Sequence, residues 1–168
     1  MSATLVVIVN GRPAPQGSKT SLPGGGVRES SRHVRPWRDA VVWAVRDALE
    51  RLPSDQRAAW APPDDRWAYS LDVVFTVKRP TVHNRSGKHS DQLKPDAPRA
   101  PVTTPDLDKL IRSTLDGLAD SLLIGNDSRV TEVNAVKAYP GGALDALDGP
   151  GAVLTIRKVS NHAPTDDR

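Results

Sequence analysis

Tyr69-Ser70-Leu71-Asp72-Val73-Val74-Phe75-Thr76-Val77-Lys78 reads as the best strand in the sequence. Leu71, Val73, Phe75 and Val77 alternate on one face, the period-two pattern of a strand with a buried side. Toward the N-terminus, Trp37, Ala40, Val41, Ala44, Val45, Ala48 and Leu49 recur at helical spacing, and Pro36 suits a first helical position. The spacing predicts an amphipathic helix from Pro36 to about Leu52, preceded by a buried strand over the β-branched run Thr4 to Val9. Gly11 to Gly26 is too rich in Gly, Pro and Ser for a regular element, and Pro53 to Arg66 reads as a polar connection. Trp37, Trp43, Trp60 and Trp67 read as core or cap residues.

Toward the C-terminus, Arg79 to Thr103 is a long loop rich in Pro and basic residues; loops of that length are usually functional or mobile. Leu107, Leu110, Ile111, Thr114, Leu115 and Leu118 then form one helical face. Gly125 to Ser128 is a turn, and Arg129 to Tyr139 is a strand marked by Val130, Val133 and Val136, imperfect in alternation. Ala152 to Val159 is the last strand. The order strand, helix, strand, helix, strand, strand predicts an α/β (α+β) fold: one small domain over residues 1–159, a mixed sheet with helices packed on it. Residues 160–168 are expected to be a disordered tail.

The 168 residues contain no cysteine, which excludes a disulfide framework, a thiol nucleophile and a cysteine zinc site. No apolar run is long enough to span a membrane and the start carries no secretory pattern, so a cytoplasmic protein without a membrane partner is expected. The formal net charge is only +3, but its distribution is uneven. Arg12, Lys19, Arg28, Arg32, Arg35 and Arg38 are opposed only by Glu29. Lys78, Arg79, Arg85, Lys88, Lys94 and Arg99 are opposed by Asp91 and Asp96. Basic loops of this kind suit a phosphate backbone. His83 and His89 have no partner spacing for a metal site and read as surface residues.

The chemistry concentrates in Thr104-Pro105-Asp106-Leu107-Asp108-Lys109-Leu110-Ile111-Arg112 and in Asp127. In mid-helix, residues two apart point about 200° away from each other and share no ligand. With a helix starting at Asp108, Asp106 and Asp108 converge and Leu107 turns into the core. An antiparallel return of the chain would bring Asp127 beside them. Three carboxylates without His or Cys describe an oxygen site for Mg²⁺ or Mn²⁺, and Arg112, one turn after Asp108, neutralises charge there. The same residues also suit plainer roles: Asp106 or Asp108 as caps, Asp127 as a turn former, and Asp116 as an ion-pair partner for Arg112.

Pro-Asp-Leu-Asp-Lys-Leu-Ile-Arg-x-x-Leu-Asp-Gly-Leu, then Ile-Gly-Asn-Asp-Ser-Arg-Val and a strand ending in Lys137, resembles the RusA family of Holliday junction resolvases, often carried by phages and prophages. The opening strand with Pro15-Gln16-Gly17-Ser18-Lys19, and Val74 to Pro80, resemble its flanking segments. The resemblance implies a homodimeric, Mg²⁺-dependent endodeoxyribonuclease of recombination and repair that nicks four-way junction DNA in symmetric pairs, with no small-molecule cofactor. It implies that Asp106, Asp108 and Asp127 hold the metal and that Arg112 stands where the family has a catalytic Lys. Arg112 keeps the charge but donates no proton. Lys109 and Asn126 are further departures, and Asn126 still offers a neutral oxygen. Lys19, Lys78, Arg79, His83, Arg85, Lys109 and Lys137 are the expected DNA contacts. A non-catalytic DNA-binding accessory protein and a flap or fork nuclease of the same fold are the alternatives.

Overall fold

The computed structural model describes residues 3–17, 19–21, 27–29, 32–64 and 66–162. The chain runs β1 (Ala3–Asn10), β2 (Lys19–Ser21), β3 (Val27–Glu29), α1 (Val34–Glu50), α2 (Ser54–Ala58), β4 (Trp67–Thr76), α3 (Leu107–Asp120), β5 (Val130–Ala138) and β6 (Gly151–Ser160). A four-stranded sheet has the order β1-β6-β4-β5. β6 is antiparallel to both β1 and β4, whereas β5 lies parallel to β4, so the sheet is mixed as expected. β2 and β3 form a separate small antiparallel pair inside and just beyond the stretch expected to be irregular. Three-residue strands carry too few alternating positions to leave a periodic signal.

The core lies on one face of the sheet, under α1 and α3. Leu5, Val7 and Val9 of β1, Tyr69, Leu71, Val73 and Phe75 of β4, and Leu154 and Ile156 of β6 meet Trp37, Val41, Val45, Leu110 and Leu118. Trp37 packs at 54° to Phe75, ring centroids 6.5 Å apart, and its Nε1 donates to Thr114 Oγ1 at 3.1 Å. That bond satisfies the one polar atom of a side chain that is only 1% exposed. Trp60 and Trp67 are partly buried against the same core, but Trp43, expected there, is 68% exposed with Arg46 over its ring.

Several details differ from the sequence reading for identifiable reasons. α1 begins at Val34, so Pro36 stands inside the first turn, where the backbone N–H it lacks has no intrahelical partner anyway. Pro53 to Arg66 contains the short helix α2, entered from Pro53 in an extended conformation. β5 is irregular because Tyr69 pairs with Val130 while Ser70 pairs with Glu132. Thr131 is the extra residue of a bulge, which switches Val133 to the core side and leaves Val136 on the open face, 47% exposed. β6 continues to Ser160, and the Asn161 N–H donates to the Arg66 carbonyl at 2.8 Å. Residues 163–168, the rest of the expected tail, lie outside the described residues.

α1 and α3 cross at Gly117, where a Cβ would meet Val41 Cβ at 2.9 Å. Val41 is fully buried and cannot turn away. Gly117→Ala is therefore expected to destabilise the domain by about 1–3 kcal/mol, because overpacking outweighs the roughly 1 kcal/mol that alanine gains as a helix former. A urea melt of the variant checks the sign.

Candidate active site at the start of the crossover helix

α3 starts at Leu107, one residue before the expected start, with Asp106 as the N-cap residue at φ −70° and ψ 139°. Asp108 falls in the first turn of the helix, so its backbone is helical while that of Asp106 is extended. Both carboxylates are exposed at the positive end of the helix, and Leu107 between them packs partly against the core. Asp106 makes no side-chain capping bond. Its Oδ2 instead accepts from Lys109 Nζ at 2.8 Å. That hydrogen bond is the main cause holding the Asp106 carboxyl below its ordinary value, with the Lys109 and Lys137 charges adding to it. Lys109 is raised in turn, first by the same bond.

The segment leading into α3 is braced from β5. Lys137 Nζ donates to the carbonyls of Thr103 and Pro105 at 2.7 Å each. The N-terminal loop is fastened along α3 from the other side. The Gln16 N–H donates to the Lys109 carbonyl at 3.0 Å, Ser113 Oγ donates to the Ala14 carbonyl at 2.6 Å, and Gln16 Nε2 donates to Asp116 Oδ2 at 2.5 Å. Gly17, at φ +129°, then brings the chain close to Arg112: a Cβ on it would lie 3.8 Å from Arg112 Nη1. Asp116 is thus occupied by Gln16 and, at 3.5 Å, by Arg38, not by Arg112 as expected. Arg112 is exposed on the turn after Asp108. Gln16 and Arg38 were not singled out by sequence because their partner, Asp116, is distant in the chain.

A cleft of about 700 Å³ opens beside this helix start. Arg12, Lys78 and Arg79 line it together with Thr103, Thr104 and Pro105. Arg79 stacks 4.0 Å from the Tyr139 ring centroid and donates to the Pro98 carbonyl at 2.7 Å. His83 meets the edge of the same ring. Arg79 and His83, expected at phosphates, therefore also hold the long loop to the sheet, while Lys78 and Arg85 stand exposed. The loop has its own backbone order: the Arg85 N–H donates to Gln92 and the Lys94 N–H to His83. The side chain of Lys19 lies outside the described residues.

Asp127 is not beside Asp106 and Asp108. It opens a turn ahead of β5, and β5 runs from there toward Lys137, which touches the start of α3. The nine residues of β5 extend roughly 30 Å, and the fourteen of α3 return about 21 Å. The return from α3 to β5 is antiparallel, as expected, but it leaves Asp127 by the far end of the helix. Among the described residues no group of three His, Asp or Glu is placed to hold a metal ion. Asn126 Oδ1 accepts from the Ser128 N–H at 2.9 Å, so the neutral oxygen it was expected to offer caps this turn.

The Lys109–Asp106 contact has a measurable consequence. Lys109→Met is expected to move the Asp106 titration upward, toward the ordinary carboxylate value, as followed by carboxyl-carbon NMR. An unmoved titration would show that the contact does not form in solution.

A family model described as Endodeoxyribonuclease RusA matches residues 12–144. No curated protein matches the chain.

Proposed function

This chain belongs to the RusA endodeoxyribonuclease family, whose members resolve Holliday junctions, and from that premise we propose that it cuts four-way junction DNA with a divalent cation held at the start of α3. The observation that carries this reading is the pairing of exposed Asp106 and Asp108 with a basic cleft on the same side of the domain. Two carboxylates with open positions fit Mg²⁺, or Mn²⁺, because such ions bind a few protein oxygens and complete their shells with water and phosphate. Asp106 and Asp108 would hold the ion from this end of the helix, whereas Asp127 of the same chain stands at the other end. When bound, the ion supplies Lewis-acid charge at the scissile phosphate.

The chain's own residues do the rest. Arg12 and Lys78 in the cleft, with Arg85 beyond it, draw in and orient the backbone of one strand. Arg112 places a permanent positive charge one turn from Asp108, where it stabilises the extra negative charge of the phosphoryl transition state. Lys137 fixes the backbone before Asp106, so the carboxylate is presented from a braced segment. Water adds in line, and the cut leaves a 5′-phosphate and a 3′-hydroxyl. A junction has approximate two-fold symmetry, so a C₂ homodimer would supply its paired nicks.

The test is a labelled synthetic four-way junction beside linear duplex, flap and fork substrates, with and without Mg²⁺. Paired symmetric nicks that need metal are expected on the junction. Asp108→Asn is expected to bind it and not cut. Preference for flaps or forks would redirect the substrate, and equal binding of duplex without any cutting would leave a DNA-binding protein only. Arg112→Ala is expected to slow cutting by about 10²-fold or more with junction affinity nearly kept, as for loss of a transition-state charge contact. An unchanged rate would remove that role.

A further inference from the structure

Asp108, Arg112 and Asp116 follow one another at four-residue intervals along α3. Arg112 therefore has one carboxylate within reach a turn before it and another a turn after it. The two are not equivalent. Toward Asp108, the guanidinium lies at the helix start, where the scissile phosphate would sit. Toward Asp116, it is neutralised and drawn away from that place. Among the described residues Arg112 pairs with neither.

Asp116 is engaged from the N-terminal loop instead. Gln16 Nε2 donates to Asp116 Oδ2 at 2.5 Å. The loop is pinned to α3 around that contact: the Gln16 N–H donates to the Lys109 carbonyl at 3.0 Å, and Ser113 Oγ donates to the Ala14 carbonyl at 2.6 Å. Arg38 also faces Asp116, at 3.5 Å, but its close contact is with Asp120 at 2.5 Å. Gln16 is thus the nearer partner of a carboxylate whose side chain is only 24% exposed. Gln16 Oε1 is buried with no partner among the described residues. The amide keeps this orientation because reversing it would set an oxygen, not a donor, against the carboxylate. Gly17 then carries the chain past Arg112 Nη1, so the same loop flanks the guanidinium.

We propose that Gln16 is a positioning residue: by engaging Asp116 it keeps Arg112 from folding back onto that carboxylate and leaves its charge free for the phosphoryl group at the start of α3. The inference rests on the role given to Arg112 under Proposed function. A neutral amide suits the task. It satisfies the charged acceptor without setting a second cation beside Arg112. Without the amide, Asp116 keeps only the longer contact to Arg38, and Arg112 is the next cation along its helix face. An ion pair of this exposure is weak, so the effect on Arg112 is graded and not all-or-none.

Gln16→Met keeps the side chain's length and the backbone bonds of the loop and removes the amide donor. On four-way junction DNA with Mg²⁺ it is expected to lower kcat about five-fold with KM nearly unchanged, the shift that one weak ion pair can drive. Asp116→Asn alone is expected to cut at the wild-type rate. Gln16→Met/Asp116→Asn is expected to regain most of the lost kcat, because the competing charge is gone. A merely structural role for the Gln16–Asp116 bond predicts no such recovery, since the second change removes the charge from the other half of the same bond. An unchanged kcat in Gln16→Met, or no recovery in the double variant, would overturn the proposal.

A second measurement needs no cutting. The guanidinium Nε–Hε NMR peak of Arg112 is identified as the one lost in Arg112→Lys. It is expected to shift in Gln16→Met, where the pair with Asp116 forms, and to return in the double variant. A peak unmoved by Gln16→Met would also overturn the proposal. If the wild-type protein cut no junction, the nuclease reading would fall, and this peak would still decide whether Gln16 keeps Arg112 off Asp116.

Discussion

The parallel pairing of β4 with β5 is the constraint on which the rest of the molecule depends. Parallel neighbours cannot be joined by a tight turn; the chain must cross back over the sheet before the second strand begins. Here that return is α3, preceded by the long loop after β4. α3 must run opposite to β5, so its positive end lies where β4 and β5 finish. The ends of β1 and β4 and the start of β6 reach the same place, since Asn10 and Thr76 both pair with Gly151. Arg12, Lys78 and Arg79 are the next residues out of those strands or close to them, which is why the cations gather beside the carboxylates.

Much of this was legible in the chain. The alternation of Leu71, Val73 and Phe75 survives as the buried face of β4, and Leu110 and Leu118 as the buried face of α3. Long periodic segments announce themselves because packing repeats the same demand at every turn or every second residue. The bulge at Thr131 was visible only as a fault in the alternation of β5, and its meaning needed the partner strand. Trp43 misled because aromatic residues are mostly buried, while its place on α1 faces water.

For the candidate site, the grouping of Asp106, Asp108 and Arg112 at one helix start was readable from spacing along one element. What could not be read was anything fixed by an interaction across the fold. Gln16 bonds to Asp116 and to the Lys109 backbone. Lys137 was expected at DNA, yet its ammonium braces the Thr103 and Pro105 carbonyls. The near-neutral sum of charges hides the same arrangement: Lys109 already offsets Asp106, and Arg38 offsets Asp116 and Asp120. The cations of the cleft are therefore not cancelled by these acids.

The position of β6 bears on how the chain reaches its fold. It is the last strand in chain order, yet it lies between β1 and β4 and pairs with both along its length. Until residues 151–160 leave the ribosome, the first strand has no neighbour and β4 has only β5. Most of the sheet's pairings thus join residues far apart in sequence, and such contacts are slow to form because a long loop must close before any bond rewards it. During synthesis the apolar edges of β1 and β4 wait uncovered, so a nascent chain stalled before Gly151 would present them to chaperones as one unfinished surface.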